Sequence, residues 1–419
     1  MSHNYRSVTF LLGLIVTAPL YGQKKADRSP LVIVGDSLSA GYQNSQLVDS
    51  GQTHGYANVI ATQAGVDLKL PIIPSPGYPQ VSAVPPSYAF VVGVTPQPRL
   101  NTDQTLDVAV PGFTVGALVG LPSSCPSNPS PYPANPIQVM AAEILNPSCS
   151  NPGPTELAEA AALKPTTAIL WVGSNDVLFS LLFNSTDPTD IGTFYRQHNL
   201  ATTTLAHASK SLVLANIPDV TRTAYLTSVP KLAAILNNMP LATTYAVFGL
   251  HPGDMVTPYA FQAIQAMGAS LTPLPDSGPQ GPIVIRAARI LQIRATVVAY
   301  NIAIAINAAF SGATLVDIYS LVNNLADHGV VVNGRTLTTD FMGGLFSLDG
   351  VHPTNTGYAI IANEFIKTMN RSLRTNIPLA DVVKVSQHDP LIFPPIVQGA
   401  STGHVDVGMA DALRHLHRQ

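Results

Sequence analysis

Residues 31–35, 106–110, 167–172, 212–217 and 313–318 are short, near-continuous runs of Val, Ile, Leu and Ala. They do not alternate with polar residues, so they predict parallel strands covered on both faces. A different period fills the gaps. Over 287–310, Ile290, Ile293, Val297, Tyr300 and Ile304 recur on one helical stripe, and Gly312 stops the helix before the last strand. Further on, Thr354 is placed to cap a helix whose Tyr358, Ile361, Ala362, Phe365 and Met369 share a face. Strand–helix alternation of this kind predicts a three-layer α/β/α sandwich around a parallel sheet of about five strands.

The spacing between these elements is uneven. Residues 68–105 carry Pro71, Pro74, Pro76, Pro79, Pro85 and Pro86 and read as an elaborated excursion. Residues 219–283 form a longer mixed insertion around Pro230, Pro240, Pro252 and Pro258. Insertions at strand ends carry specificity, so both are candidate pocket walls or lids. The expected domain spans 30–375, and 376–419 reads as an irregular tail. His415 and His417 read as terminal residues, not as metal ligands.

Composition narrows the function classes. Charged residues make up 11% of the 419 and the formal net charge is -3. No basic face or Lys/Arg run is present, which sets nucleic acid aside. No uninterrupted apolar stretch reaches the ~18–20 residues of a membrane span, so stable membrane insertion is not expected. Arg6 followed by the apolar stretch 8–20 and small Gly22 has the form of a secretory signal over 1–22. A buried first strand or helix is the alternative. An exported protein, secreted or periplasmic, is the expectation. The two cysteines, Cys125 and Cys149, are then expected to bridge, with two free thiols as the alternative. No ligand spacing surrounds them, so neither a metal nor an organic cofactor is expected.

The chemistry concentrates in four places. Asp349-Gly350-Val351-His352 sets a carboxylate three residues from an imidazole, close enough to hold one ring nitrogen and free the other. The run at 31–35 ends in Gly35-Asp36-Ser37, which delivers a hydroxyl to the rim of a sheet. This segment is not the Gly-x-Ser-x-Gly elbow of the α/β-hydrolases, having no glycine two residues after the serine. Asp36 is equally suited to cap the next helix. The second run ends in Pro111-Gly112 and the third in Gly173-Ser174-Asn175-Asp176, each placing a hydrogen-bond donor at a strand's C-terminal end, where parallel sheets bind ligands.

These four blocks, in this order, resemble the secreted bacterial GDSL lipase/esterase family of the SGNH-hydrolase superfamily, over roughly residues 30–375. The resemblance implies a flavodoxin-like parallel sheet. It also implies Ser37 as nucleophile, His352 as general base and Asp349 as its orienting acid. The amides of Ser37 and Gly112 and the side chain of Asn175 would form the oxyanion hole. Asp176 is expected to hold the Asn175 loop, and 215–219 resembles the family's loop after the fourth strand. The long 68–105 and 219–283 segments exceed the minimal family domain.

The expected partner is a small-molecule or lipid ester. Tyr245, Phe248, Tyr259, Phe261 and Met267 suit either an acyl-accepting wall or ordinary core. A carbohydrate acetyl-esterase uses the same site, and a non-catalytic cell-surface binding protein is the reading from another class. Glu156 and Glu159 are expected on a solvated helix face, and Trp171 in the core.

Overall fold

The computed structural model describes residues 30–392 apart from 80, 84–88, 91–98, 102, 126–135 and 184–185. The expected signal segment 1–22, Pro85, Pro86, His415 and His417 lie outside the described residues. Four parallel strands form the central sheet: β1 (Leu31–Gly35), β2 (Thr167–Trp171), β3 (Ser211–Ala215) and β4 (Thr314–Val316), bonded in that order. In register, Leu31 lies beside Thr167, Thr167 beside Ser211, and Val213 beside Thr314. Successive side chains leave opposite faces of a strand. Val32, Val34, Leu170 and Leu214 enter one buried cluster, while Ile33, Ile169, Trp171 and Val213 enter another. With a core on each side, most strand positions are apolar, which is why the runs read as near-continuous.

Helices supply the outer layers. On the first face lie α3 (Val115–Gly120), α4 (Glu156–Ala162), α5 (Asn175–Leu182), α6 (Ile191–Ala208) and α7 (Ala287–Ser311). The second face is covered by α2 (Tyr56–Ala64), α8 (Ile318–His328) and α9 (Asn355–Ser372), following the one-turn α1 (Ser37–Ala40) at the end of β1. This is the three-layer α/β/α sandwich.

The expected helix 287–310 forms with its stripe buried and Gly312 left-handed at its end. By length and composition alone α7 is apolar enough to cross a membrane. Its inner stripe is nevertheless core here, and its two asparagines face inward. Asn301 bonds both the amide and the carbonyl of Ile217, and Asn307 meets the His198 ring. At the start of α9 the Thr354 hydroxyl accepts from the Gly357 amide at 3.0 Å, as the capping expectation required.

The structure corrects two expectations about the fold. Residues 106–110 are not a regular strand, although they run along the free edge of β1. Ile33 N–H donates to Leu106 O, Val108 N–H to Ile33 O and Val110 N–H to Gly35 O, at 2.9, 3.0 and 3.1 Å. Asp107 turns its carboxyl onto the Ala109 amide, and Pro111 ends the pairing. With this segment counted, the spatial order is the 2-1-3-4-5 of flavodoxin-like sheets.

The tail is the second correction. It contains a helix, Val382–Gln387, capped by Asp381, and is not wholly irregular. Asp389 then accepts from the amide and hydroxyl of Thr356, both at 2.7 Å, which ties the tail to the first turn of α9. Cys125 and Cys149 are bonded as expected, with Cα atoms 5.3 Å apart, so the free-thiol alternative falls.

Within the 219–283 insertion, Phe248 is fully buried in a separate small core, with Tyr245, Tyr259, Phe261 and Met267 packed against it. The described part of 68–105 is largely irregular, with one short pairing between Val81–Ala83 and Ala89–Phe90.

Candidate active site

Ser37 is the first residue of α1, immediately after the strand β1. Asp36 caps that turn by accepting from the Leu38 amide at 3.0 Å, so the capping role and the Gly-Asp-Ser motif coexist. Ser37 Oγ lies 2.8 Å from His352 Nε2, across 315 residues of sequence. On the other side of the ring, His352 Nδ1 lies 2.8 Å from Asp349 Oδ2.

Asp349 is buried and accepts from four donors. Oδ2 takes the His352 ring and the Ser45 amide, and Oδ1 takes the Val351 and His352 amides. Burial raises its pKa, but the His352 charge and these bonds outweigh burial and hold the carboxyl at about 2. An ionised Asp349 can only accept, so Nδ1 carries the ring proton. In the neutral ring Nε2 is then bare and faces the Ser37 hydroxyl. The turn that brings acid and base together needs Gly350. Its φ is +73°, and a Cβ there would stand 2.8 Å from the Tyr225 amide nitrogen.

A segment without a visible motif joins the two halves of this arrangement. Gln43 Nε2 donates to Pro353 O and Asn355 Oδ1, and the Leu348 amide donates to Asn44 Oδ1. Ser45 sends its amide to Asp349 from a left-handed conformation, φ 63°, next to Asn44 at φ 51°. Non-glycine residues adopt that region rarely and at a cost, and they concentrate at functional sites. The Tyr42 ring packs on the His352 ring with centroids 4.7 Å apart. These residues carry no sequence signal, because their contacts to the acid–base turn reach some 300 positions along the chain.

Of the donors expected around the serine, Asn175 lines the same cavity as Ser37. Asn175 is buried at the start of α5, and its Nδ2 donates to Phe113 O at 2.9 Å, next to Gly112. One of the two amide hydrogens remains for another acceptor. Asp176 holds this loop as expected: Oδ2 accepts from the Val115 amide and Oδ1 from the Thr189 hydroxyl, both at 2.8 Å. In 215–219, the Asn216 side chain donates to Asp317 and its carbonyl accepts from the Trp171 indole. Trp171 is core, as expected, although its edge also borders the cavity described next.

Ser37, Asn175 and His352 line one open cavity. Its walls are mainly apolar and include Leu178, Val220, Ile318, Val322, Leu325 and Leu345. None of Tyr245, Phe248, Tyr259, Phe261 or Met267 reaches it, which corrects their reading as an acyl wall: they fill the insertion's own core.

Glu156 departs furthest from expectation. It is fully buried, not solvated, whereas Glu159 is half-buried. The face of α4 turned to the sheet contains Glu156, Leu157 and Ala160, which sets the glutamate against the end of β1. Its Oε1 accepts from the Gly35 amide at 2.6 Å, two residues before Ser37.

The sequence model of the GDSL-like lipase/acylhydrolase family matches residues 31–365, a span that contains all of these groups. The chain belongs to this family. Its members are hydrolases acting on esters, so the substrate is a small-molecule ester. Among solved structures, the chain is similar to an α/β-hydrolase enzyme from the metagenome of Lake Arreo, Spain. Identity is 14% and TM-score 0.37, over 81% of this chain and 94% of that one. It is also similar to a GDSL-like lipase from Parabacteroides merdae, at 12% identity and TM-score 0.36, over 81% of this chain and 94% of the other. No curated protein matches the chain.

Proposed function

We propose that this GDSL-family protein is an exported carboxylic-ester hydrolase in which Ser37, His352 and Asp349 act as a triad through an acyl-enzyme. The observation that carries the reading is the pair of 2.8 Å contacts made by one imidazole, to Ser37 Oγ and to Asp349 Oδ2. His352 Nε2 takes the hydroxyl proton as Ser37 Oγ attacks the ester carbonyl. The oxyanion that develops is met by the amides of Ser37 and Gly112 and by the remaining Nδ2 hydrogen of Asn175. His352 then gives its proton to the leaving alcohol. Water, deprotonated by the same nitrogen, attacks the acyl carbonyl and returns Ser37 to its free form. Asp349 stays ionised throughout and fixes the ring.

The apolar walls of the cavity favour an aliphatic acyl group over a sugar, because its wall side chains offer few partners for hydroxyls. An acetylated glycan is the competing substrate. A binding protein without turnover has no use for an aligned base and nucleophile. The disulfide supports export, since such bonds persist in oxidising compartments.

The test is a series of p-nitrophenyl esters with acyl chains from two to sixteen carbons, run beside an acetylated glycan, with Ser37→Ala as control. Preference for an acyl longer than acetyl, and loss of roughly 10³–10⁶-fold in rate in Ser37→Ala, are expected. Hydrolysis retained by Ser37→Ala sinks the triad assignment, and selective release of acetate from the glycan moves the protein to the deacetylase reading.

A further inference from the structure

Beneath the Ser37 turn the backbone is confined on every side. Gly35 has no room for a side chain: a Cβ would stand 2.2 Å from the Trp171 carbonyl oxygen and 2.6 Å from Ser39 Oγ. Its carbonyl accepts from the Val110 amide in the edge pairing, while its amide is bound by a side chain, Glu156 Oε1. Two further buried carboxyls flank this point, Asp36 on the chain side and Asp107 in the edge segment opposite Ile33. Among the described residues, Glu156 Oε2 and Asp36 Oδ2 have no hydrogen-bond partner.

We infer that Glu156 is a positioning residue for the nucleophile, which in its neutral form fixes the Gly35 amide and the Ser37 turn and on ionisation lets that turn go. The inference rests on the proposed role of Ser37. Three buried carboxyls without a cation cannot all be charged. Burial drives the Glu156 pKa well above the ordinary value, and Asp36 and Asp107 push it in the same direction while the Gly35 bond opposes them. Burial likewise lifts Asp36 to about 7 and Asp107 to about 8. The bond to Gly35 strengthens when Glu156 ionises. What fails is its surroundings, because an unpaired charge there draws water between α4 and β1.

The other groups on the packed elements do not compensate. α3 carries no titratable residue, Glu143 on the helix Pro136–Leu145 interacts with Arg99, and His198 of α6 is turned to Asn307 of α7. Beyond Asp36 lie Asp176 and His352, both coupled to Asp36 electrostatically.

The test compares the full disulfide-bonded chain with Glu156→Gln and Glu156→Ala. The readouts are kcat, KM and Tm between pH 6 and 10, on a p-nitrophenyl ester that the wild type hydrolyses. Glutamine keeps a neutral acceptor for Gly35, so at pH 7 its kcat stays within about threefold of wild type, whereas alanine loses on the order of 10²-fold with KM little changed. Toward pH 10 the wild-type kcat falls reversibly and the glutamine variant holds its rate, a difference that loss of packing alone does not produce. Wild-type kcat retained by folded Glu156→Ala, or wild type and Glu156→Gln declining together toward pH 10, overturns the inference. If the alanine variant does not fold, the wild-type and glutamine profiles decide by themselves. A wild type that hydrolyses no ester sinks the proposed function itself, and the positioning role with it.

Discussion

Asp349 concentrates the electrostatic work of the site into one carboxyl with four donors. Replacing it by asparagine sets an amide N–H against those donors and removes the charge that stabilises a protonated His352. For Asp349→Asn a loss of roughly 10³–10⁴-fold in kcat is expected, with the wild-type circular dichroism retained; a loss below tenfold would show that the ring is oriented without the carboxylate. The acid was visible because it shares a turn with its base. Ser45, which supplies one of the four donors, and Tyr42, which packs the ring, were not. Their contacts are made across the fold, and nothing near them in the chain records those contacts. Glu156 was misread for a related reason. Glu-x-x-Glu in an alanine-rich helix has the look of a solvated face, and only the docking of α4 on β1 shows which glutamate turns inward.

At the level of elements, legibility followed how regular the burial is. α7 lies between solvent and one core and α9 turns its apolar stripe to another, so both stripes recur at helical spacing and are readable to within a turn. The sheet strands were readable because both of their faces are buried. The edge segment 106–110 is as apolar as a strand, but its Asp107 carboxyl binds the Ala109 amide of the same segment and regular pairing is lost. The insertion's aromatic residues defeated any reading of direction, since a satellite core and a pocket wall have the same composition.

The Cys125–Cys149 bond closes a loop of 24 residues between α3 and α4. A crosslink of this length is worth about 3 kcal/mol on chain-entropy grounds. Replacing both cysteines by alanine is therefore expected to lower Tm by several degrees while leaving kcat within about twofold, read by thermal melts and ester assays. A native mass that reduction does not raise by two protons would contradict the bond directly.

Across the whole molecule, the buried acids give folding an unusual dependence on pH. Asp36 at about 7, Asp107 at about 8, Asp176 at about 6 and Glu156 well above its ordinary value are all raised, chiefly by burial. A carboxyl whose folded pKa exceeds its unfolded one binds more protons when folded. Its stabilisation is complete below the unfolded pKa near ~4 and is lost as pH rises through the folded value. Other groups act the other way, among them Asp190, Asp254 and Asp317, whose hydrogen bonds outweigh burial and lower them. His198 is lowered to about 4 by burial, and Asp349 is held at about 2, so both favour folding as pH rises, the first up to ~6.5 and the second only below ~4. Between pH ~5 and ~8 the four raised carboxyls outnumber the one histidine. Tm is accordingly expected to be highest in mild acid and to fall toward pH 8, followed by circular dichroism at constant scan rate. Glu156→Gln and Asp107→Asn remove two of the titrating groups and are expected to flatten the decline. A wild-type Tm that climbs from pH 5 to 8 would mean that the carboxyls around Gly35 are ionised in the folded chain and find compensation there.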